Sequence, residues 1–131
     1  MEFHLQLTGV LLIILALLHA VFPKYLDWKR DLSSLSMANR QIMYVHSFFI
    51  ALGVALIGLL CLTSSHQLLY TPLGKKIALG LALFWSARWL VQFFGYSSKL
   101  WKGKRFETVV HVLLALFWTY LSIVFIFTYL A

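Results

Sequence analysis

The chain has 131 residues, 62% of them apolar and only 11% charged, with a mean hydropathy of +0.87. A soluble domain is normally about a quarter charged, so this composition excludes an ordinary soluble fold and indicates a single integral membrane domain over residues 1–131. Lys and Arg total 11 against 4 Asp and Glu, a net charge of +7; the basic residues fall mostly between apolar runs, which points to membrane topology and anionic lipid headgroups and not to nucleic acid.

The single cysteine, Cys61, cannot close an internal disulfide, and no CxxC or CxxCH pattern is present. Thiol redox chemistry and covalent c-type haem attachment are therefore not expected. The first apolar run lacks a basic n-region and a small-x-small cleavage site, so it reads as a retained span and not as a signal peptide.

Four apolar stretches have transmembrane helical length. The first covers residues 5–22 and is expected to stop at Pro23, which removes a backbone donor and biases its predecessor away from helix. The second covers 40–62 and ends at Thr63, Ser64 and Ser65. The third covers 73–95, with Pro72 and Gly74 at its start, and the fourth covers 106–129. These runs lack period-2 alternation and are too long for strands, which excludes a β-barrel. The expected fold class is all-α: a four-helix transmembrane bundle with up-down topology.

The connections differ in character. Between residues 24 and 39, Tyr25, Trp28, Leu32 and Leu35 recur at helical spacing among Lys24, Asp27, Lys29, Arg30 and Asp31. That pattern fits either a short amphipathic helix in the headgroup region or an irregular loop with interfacial aromatics. The second connection is short; the third is basic and carries Trp101. Lys24, Lys29, Arg30 and Arg40 flank the first connection, and Lys99, Lys102, Lys104 and Arg105 the third, whereas the opposite side has only Lys75 and Lys76. The positive-inside rule then puts those two connections in the cytoplasm and both termini outside, as in a bacterial inner membrane or its equivalent.

The third span carries the most demanding residue. Within Phe-Trp-Ser-Ala-Arg-Trp-Leu-Val-Gln-Phe-Phe, residues 84–94, Arg88 and Gln92 stand one helical turn apart. A guanidinium in hydrocarbon costs at least ~2.5 kcal/mol, so it calls for partners, water or an anionic ligand. His19, His46, Gln92 and His111, one from each span, all lie about 5–9 Å inside the cytoplasmic boundary by helical rise, with Arg88 one turn deeper. Trp85, Arg88, Gln92 and Gly95 share a face of span three. Glu107, His111, Ala115, Thr119 and Ser122 form a small and polar stripe on span four, and Asn39, His46 and Gly53 a stripe on span two. Small residues in such stripes allow close helix approach.

Four chemistries fit this layer. His19, His46 and His111 could supply two axial imidazoles to a b-type haem, with Arg88, Arg40 or Arg105 on the propionates and Phe48, Phe49, Trp85 and Trp89 walling the ring. The same three histidines could bind zinc, iron or copper in a membrane oxidoreductase or a metal-dependent lipid-modifying enzyme, with Glu107 or Gln92 positioning water. Carboxylates are too few for a four-Glu diiron centre. Without metal, Arg88, Gln92, Trp85 and Trp89 could bind a lipid-like or quinone substrate while His46 or His111, with Glu107, handles protons. Lastly, the cluster could be helix–helix glue in a structural subunit, a homo-oligomer or a membrane protein's partner. His4, His66, Lys75 and Lys76 are expected near the outer surface, and Trp118 and Tyr120 in packing or lipid contact.

Overall fold

A computed structural model of the full chain describes residues 1–25, 28–94 and 105–131. Among the described residues it is all-α: α1 (Glu2–Tyr25), α2 (Trp28–Asp31), α3 (Met37–Thr63), α4 (Ser65–Tyr70), α5 (Pro72–Phe94) and α6 (Arg105–Leu130). The four long helices are each long and apolar enough to cross a membrane, with mean hydropathy from 1.5 to 2.4. Their outer faces expose Leu17, Phe48, Leu83 and Leu116, as contact with lipid tails requires. The protein is an integral, multi-pass helical membrane protein. The basic residues Lys99, Lys102 and Lys104, together with Trp101 and Gly95, lie outside the described residues, as does Asp27.

Helix boundaries follow local chemistry. α1 does not stop at Pro23 but runs on to Tyr25. Proline's fixed φ suits a helix, and its missing N–H removes one bond, the one to the His19 carbonyl, without unwinding the last turn. α3 begins before Arg40 because the Ser36 hydroxyl accepts the Asn39 N–H at 3.2 Å, an N-cap. At its other end the Ser64 N–H bonds the Leu60 carbonyl at 2.9 Å. The connection at 64–72 is itself mostly helical, as α4. Thr71 caps α5, accepting the Gly74 N–H at 2.9 Å, and Pro72 occupies the first helical position, where no donor is missed. A Cβ on Gly74 would fall on the Gln67 carbonyl, so glycine is what lets α4 fold back against α5.

The chain divides into two compact units. In the first, Phe3–Ser65, α1 and α3 cross at Gly9 and Gly58. A Cβ at Gly9 would lie 2.6 Å from the Gly58 carbonyl oxygen, and one at Gly58 would lie 2.8 Å from that of Gly9. Backbone meets backbone there, as small residues allow in membranes. Gly53, in the stripe expected to allow that approach, faces open space. Further along, Ala16, His19 and Pro23 face Tyr44, Ser47, Ala51 and Ala55, so the two helices run antiparallel.

The second unit contains Met1–Glu2 and His66–Ala131. Here α5 and α6 are antiparallel: Lys75 bonds the Ala131 carbonyl, Trp85 stacks on Trp118, and Gln92 reaches His111. Ala78, Ala82, Trp85 and Gln92 are buried on α5, and Trp118, Leu121, Ser122 and Phe125 on α6. In the same unit His66 Nδ1 lies 3.0 Å from a Glu2 carboxylate oxygen, both side chains being exposed.

Candidate functional site

Gln92 is the centre of the polar network, although it is only 3% exposed. Its Oε1 accepts from the Trp118 indole N–H at 3.1 Å and from Arg88 Nη1 at 3.3 Å. Its Nε2 lies 2.8 Å from His111 Nδ1. Indole and guanidinium can only donate, so the amide oxygen must face them and the amide nitrogen must face histidine. His111 Nδ1 therefore accepts, and the proton of the neutral imidazole sits on Nε2.

Aromatic rings surround this amide. Arg88 Cζ lies 4.7 Å from the Trp118 ring centroid, a cation–π geometry that suits a guanidinium away from water. Trp85 stacks on the same ring at 5.4 Å and 10°. Phe93 meets His111 edge-on at 6.1 Å. Next to these, the Trp89 indole donates to Thr119 Oγ1 at 2.8 Å, and Thr119 in turn donates to the Ala115 carbonyl at 2.8 Å. The Ser122 hydroxyl bonds the Trp118 carbonyl at 2.8 Å. One donor in the cluster has no acceptor among the described residues: the buried indole N–H of Trp85.

Of the residues singled out from sequence, Arg88, Gln92, Trp85 and His111 are therefore gathered on one side of the α5–α6 pair. Trp89 takes part through Thr119, whereas Glu107 is exposed at the start of α6. Trp118, expected in packing or lipid contact, is the residue on which Trp85, Arg88 and Gln92 all converge. Its spacing carried a signal: Trp118 stands two helical turns from His111 and so shares its face.

His19 and His46 belong to the other unit. Each ring donates through Nδ1 to the carbonyl four residues back, His19 to Leu15 at 2.8 Å and His46 to Ile42 at 2.9 Å. They do not share a face. His19 lines a cavity with Tyr44, Ser47, Phe48 and Ala51 of α3, whereas His46 is exposed. At about 100° per residue, position 46 points away from the side of α3 that carries 44, 48, 51 and 55. These two imidazoles are not an axial pair across α1 and α3. Among the described residues no group of three or more His, Cys, Asp or Glu side chains is arranged to hold a metal ion, so the three-histidine centre expected from the shared layer is not assembled. A common depth along each helix says nothing about azimuth, so equal height by itself cannot assemble a centre.

Comparison with protein-family models, curated proteins and solved structures gives no match in any of the three.

Proposed function

We propose that this protein binds a membrane-soluble molecule with an oxygen-acceptor headgroup, a quinone or a carbonyl- or phosphate-bearing lipid, at the Trp85–Arg88 side of the α5–α6 pair and without a metal. The observation that carries this reading is the buried Trp85 N–H without an acceptor among the described residues, one turn from Arg88 and packed with it on Trp118. Leaving such a donor unmatched costs about 1–3 kcal/mol, which an incoming oxygen recovers. The guanidinium adds a charge-assisted donor for a phosphate or a quinone oxygen. In this reading Gln92 is scaffold, fixing Arg88 and Trp118, and His111 is our candidate for relaying a proton. The four spans form an up-down bundle within a single domain, with the first and third connections cytoplasmic and both termini outside.

Helix–helix glue alone is favoured by one observation, the full engagement of both ends of the Gln92 amide. A ligand titration separates the two readings. Protein in phosphatidylcholine nanodiscs is titrated with decylubiquinone or with phosphatidylglycerol while tryptophan fluorescence is followed. The ligand reading expects saturable quenching or enhancement with one of them, weakened about tenfold by Trp85→Phe and by Arg88→Gln, as loss of one good hydrogen bond implies. Linear, non-saturable responses to both, identical in the variants, would leave the glue reading standing and the ligand reading overturned.

A further inference from the structure

Gln92 joins His111 on one side to Arg88 and Trp118 on the other, and its amide serves all three in one orientation only. With Oε1 toward the guanidinium and the indole, Nε2 donates to His111 Nδ1 at 2.8 Å. The neutral ring already carries a proton on its own Nε2, so a second proton can enter only at Nδ1. There it meets the Gln92 N–H, two donors with no acceptor between them. Turning the amide over gives the imidazolium an oxygen and a charge-assisted bond. The same turn aims the NH2 group at the Trp118 N–H and at Arg88, which then have no acceptor at Gln92. Gln92 is 3% exposed, so bulk water does not reach in to replace it. His111 is only half-buried, so a proton can reach the ring although the amide is shielded.

A proton by itself therefore strands two donors. An incoming acceptor oxygen by itself competes for Arg88 with an amide oxygen that already holds it. Together they satisfy every group: the imidazolium takes the amide oxygen, and the freed donors take the ligand. We propose, resting on the ligand reading above, that binding of the oxygen-acceptor headgroup is coupled to uptake of one proton from water at His111, the Gln92 amide turning over between them. By reciprocity each event favours the other, so ligand affinity rises as pH falls through the imidazole range. The helix packed on α6 is α5. The ionisable groups around His111 are Arg88 from α5 and, on the first turn of α6, the exposed Arg105 and Glu107. Among these side-chain types imidazole is the one that ordinarily changes charge between pH 5 and 8. Arg88 and His111 each have contacts beyond the amide, so the exchange is one of partners at Gln92 and needs neither side chain to be free.

The test measures Kd by tryptophan fluorescence in phosphatidylcholine nanodiscs at pH 5.5 and pH 8, with decylubiquinone and with phosphatidylglycerol, neither of which changes charge between those values. For whichever saturates, the expected Kd is about tenfold lower at pH 5.5, within the usual range for coupled sites. His111→Gln removes the titrating ring and should give one Kd at both pH values. Gln92→Met leaves His111 in place but has no amide to turn, and should do the same. A pH dependence kept in full by Gln92→Met would mean that the His111 charge acts directly on the ligand, and would overturn the inference. Equal Kd at the two pH values in the wild-type protein would also overturn it, however the variants fold, and would leave the ligand reading standing. Absence of saturable binding by either ligand at both pH values would overturn the ligand reading and this inference with it.

Discussion

Gln92 does at the scale of one residue what a membrane interior makes difficult: it satisfies a cation, an indole and an imidazole with a single amide. Replacing it by leucine keeps the volume but strands the Trp118 N–H and removes partners of Arg88 and His111. Gln92→Leu is expected to lower stability by about 1–3 kcal/mol, read as reduced thermal retention of the monodisperse peak in detergent size-exclusion. Gln92→Glu keeps the one acceptor oxygen that Trp118 and Arg88 share but puts the second carboxylate oxygen against His111 Nδ1, which must then carry the proton; it should cost less than leucine. The two stacked tryptophans make a sharper pair. Trp118→Phe loses a made bond to Gln92 as well as ring volume, whereas Trp85→Phe loses ring volume and an N–H that bonds nothing among the described residues, and should destabilise less. Equal destabilisation by both would mean that Trp85 N–H has a partner within the fold.

Between elements, the two long-helix pairs are closed by different means. α1 and α3 approach through glycine, with backbone atoms where a side chain would stand. Gly9→Ala and Gly58→Ala should therefore push the helices apart and lower thermal stability. Gly53→Ala and Gly80→Ala, whose added Cβ meets open space, should leave stability unchanged or raise it by up to about 1 kcal/mol through helix propensity. α5 and α6 are held instead by large aromatic and polar side chains, so their pairing is sensitive to chemistry and not only to volume. The α4–α5 corner depends on the Thr71 cap, and Thr71→Ala should cost about 1 kcal/mol by the same thermal assay.

For the whole molecule, the proposed orientation is tested by cysteine accessibility on a Cys61→Ala background. Ser34→Cys should react with a membrane-impermeant maleimide only after the membrane is permeabilised, and a cysteine replacing Thr71 should react without permeabilisation. The opposite pattern would invert the topology. Hydropathy and length alone determined that this is an all-α multi-pass membrane protein with four spans, because a bilayer requires each spanning segment to satisfy its own backbone. Helical spacing within α5 also showed that Trp85, Arg88 and Gln92 share a face, and depth showed that Gln92 and His111 could meet. The run of α1 through Pro23 was not legible, since a proline's cost depends on whether one lost bond is tolerated. Nor was the crossing at Gly9 and Gly58, because a glycine's role depends on what lies opposite it. Only the tertiary structure decided that Trp118 joins the network, that Glu107 stays outside it, and that His19 and His46 occupy different faces of their unit. Sequence sets height along a helix and direction around its own axis, while the rotation of one helix against its neighbour comes from packing.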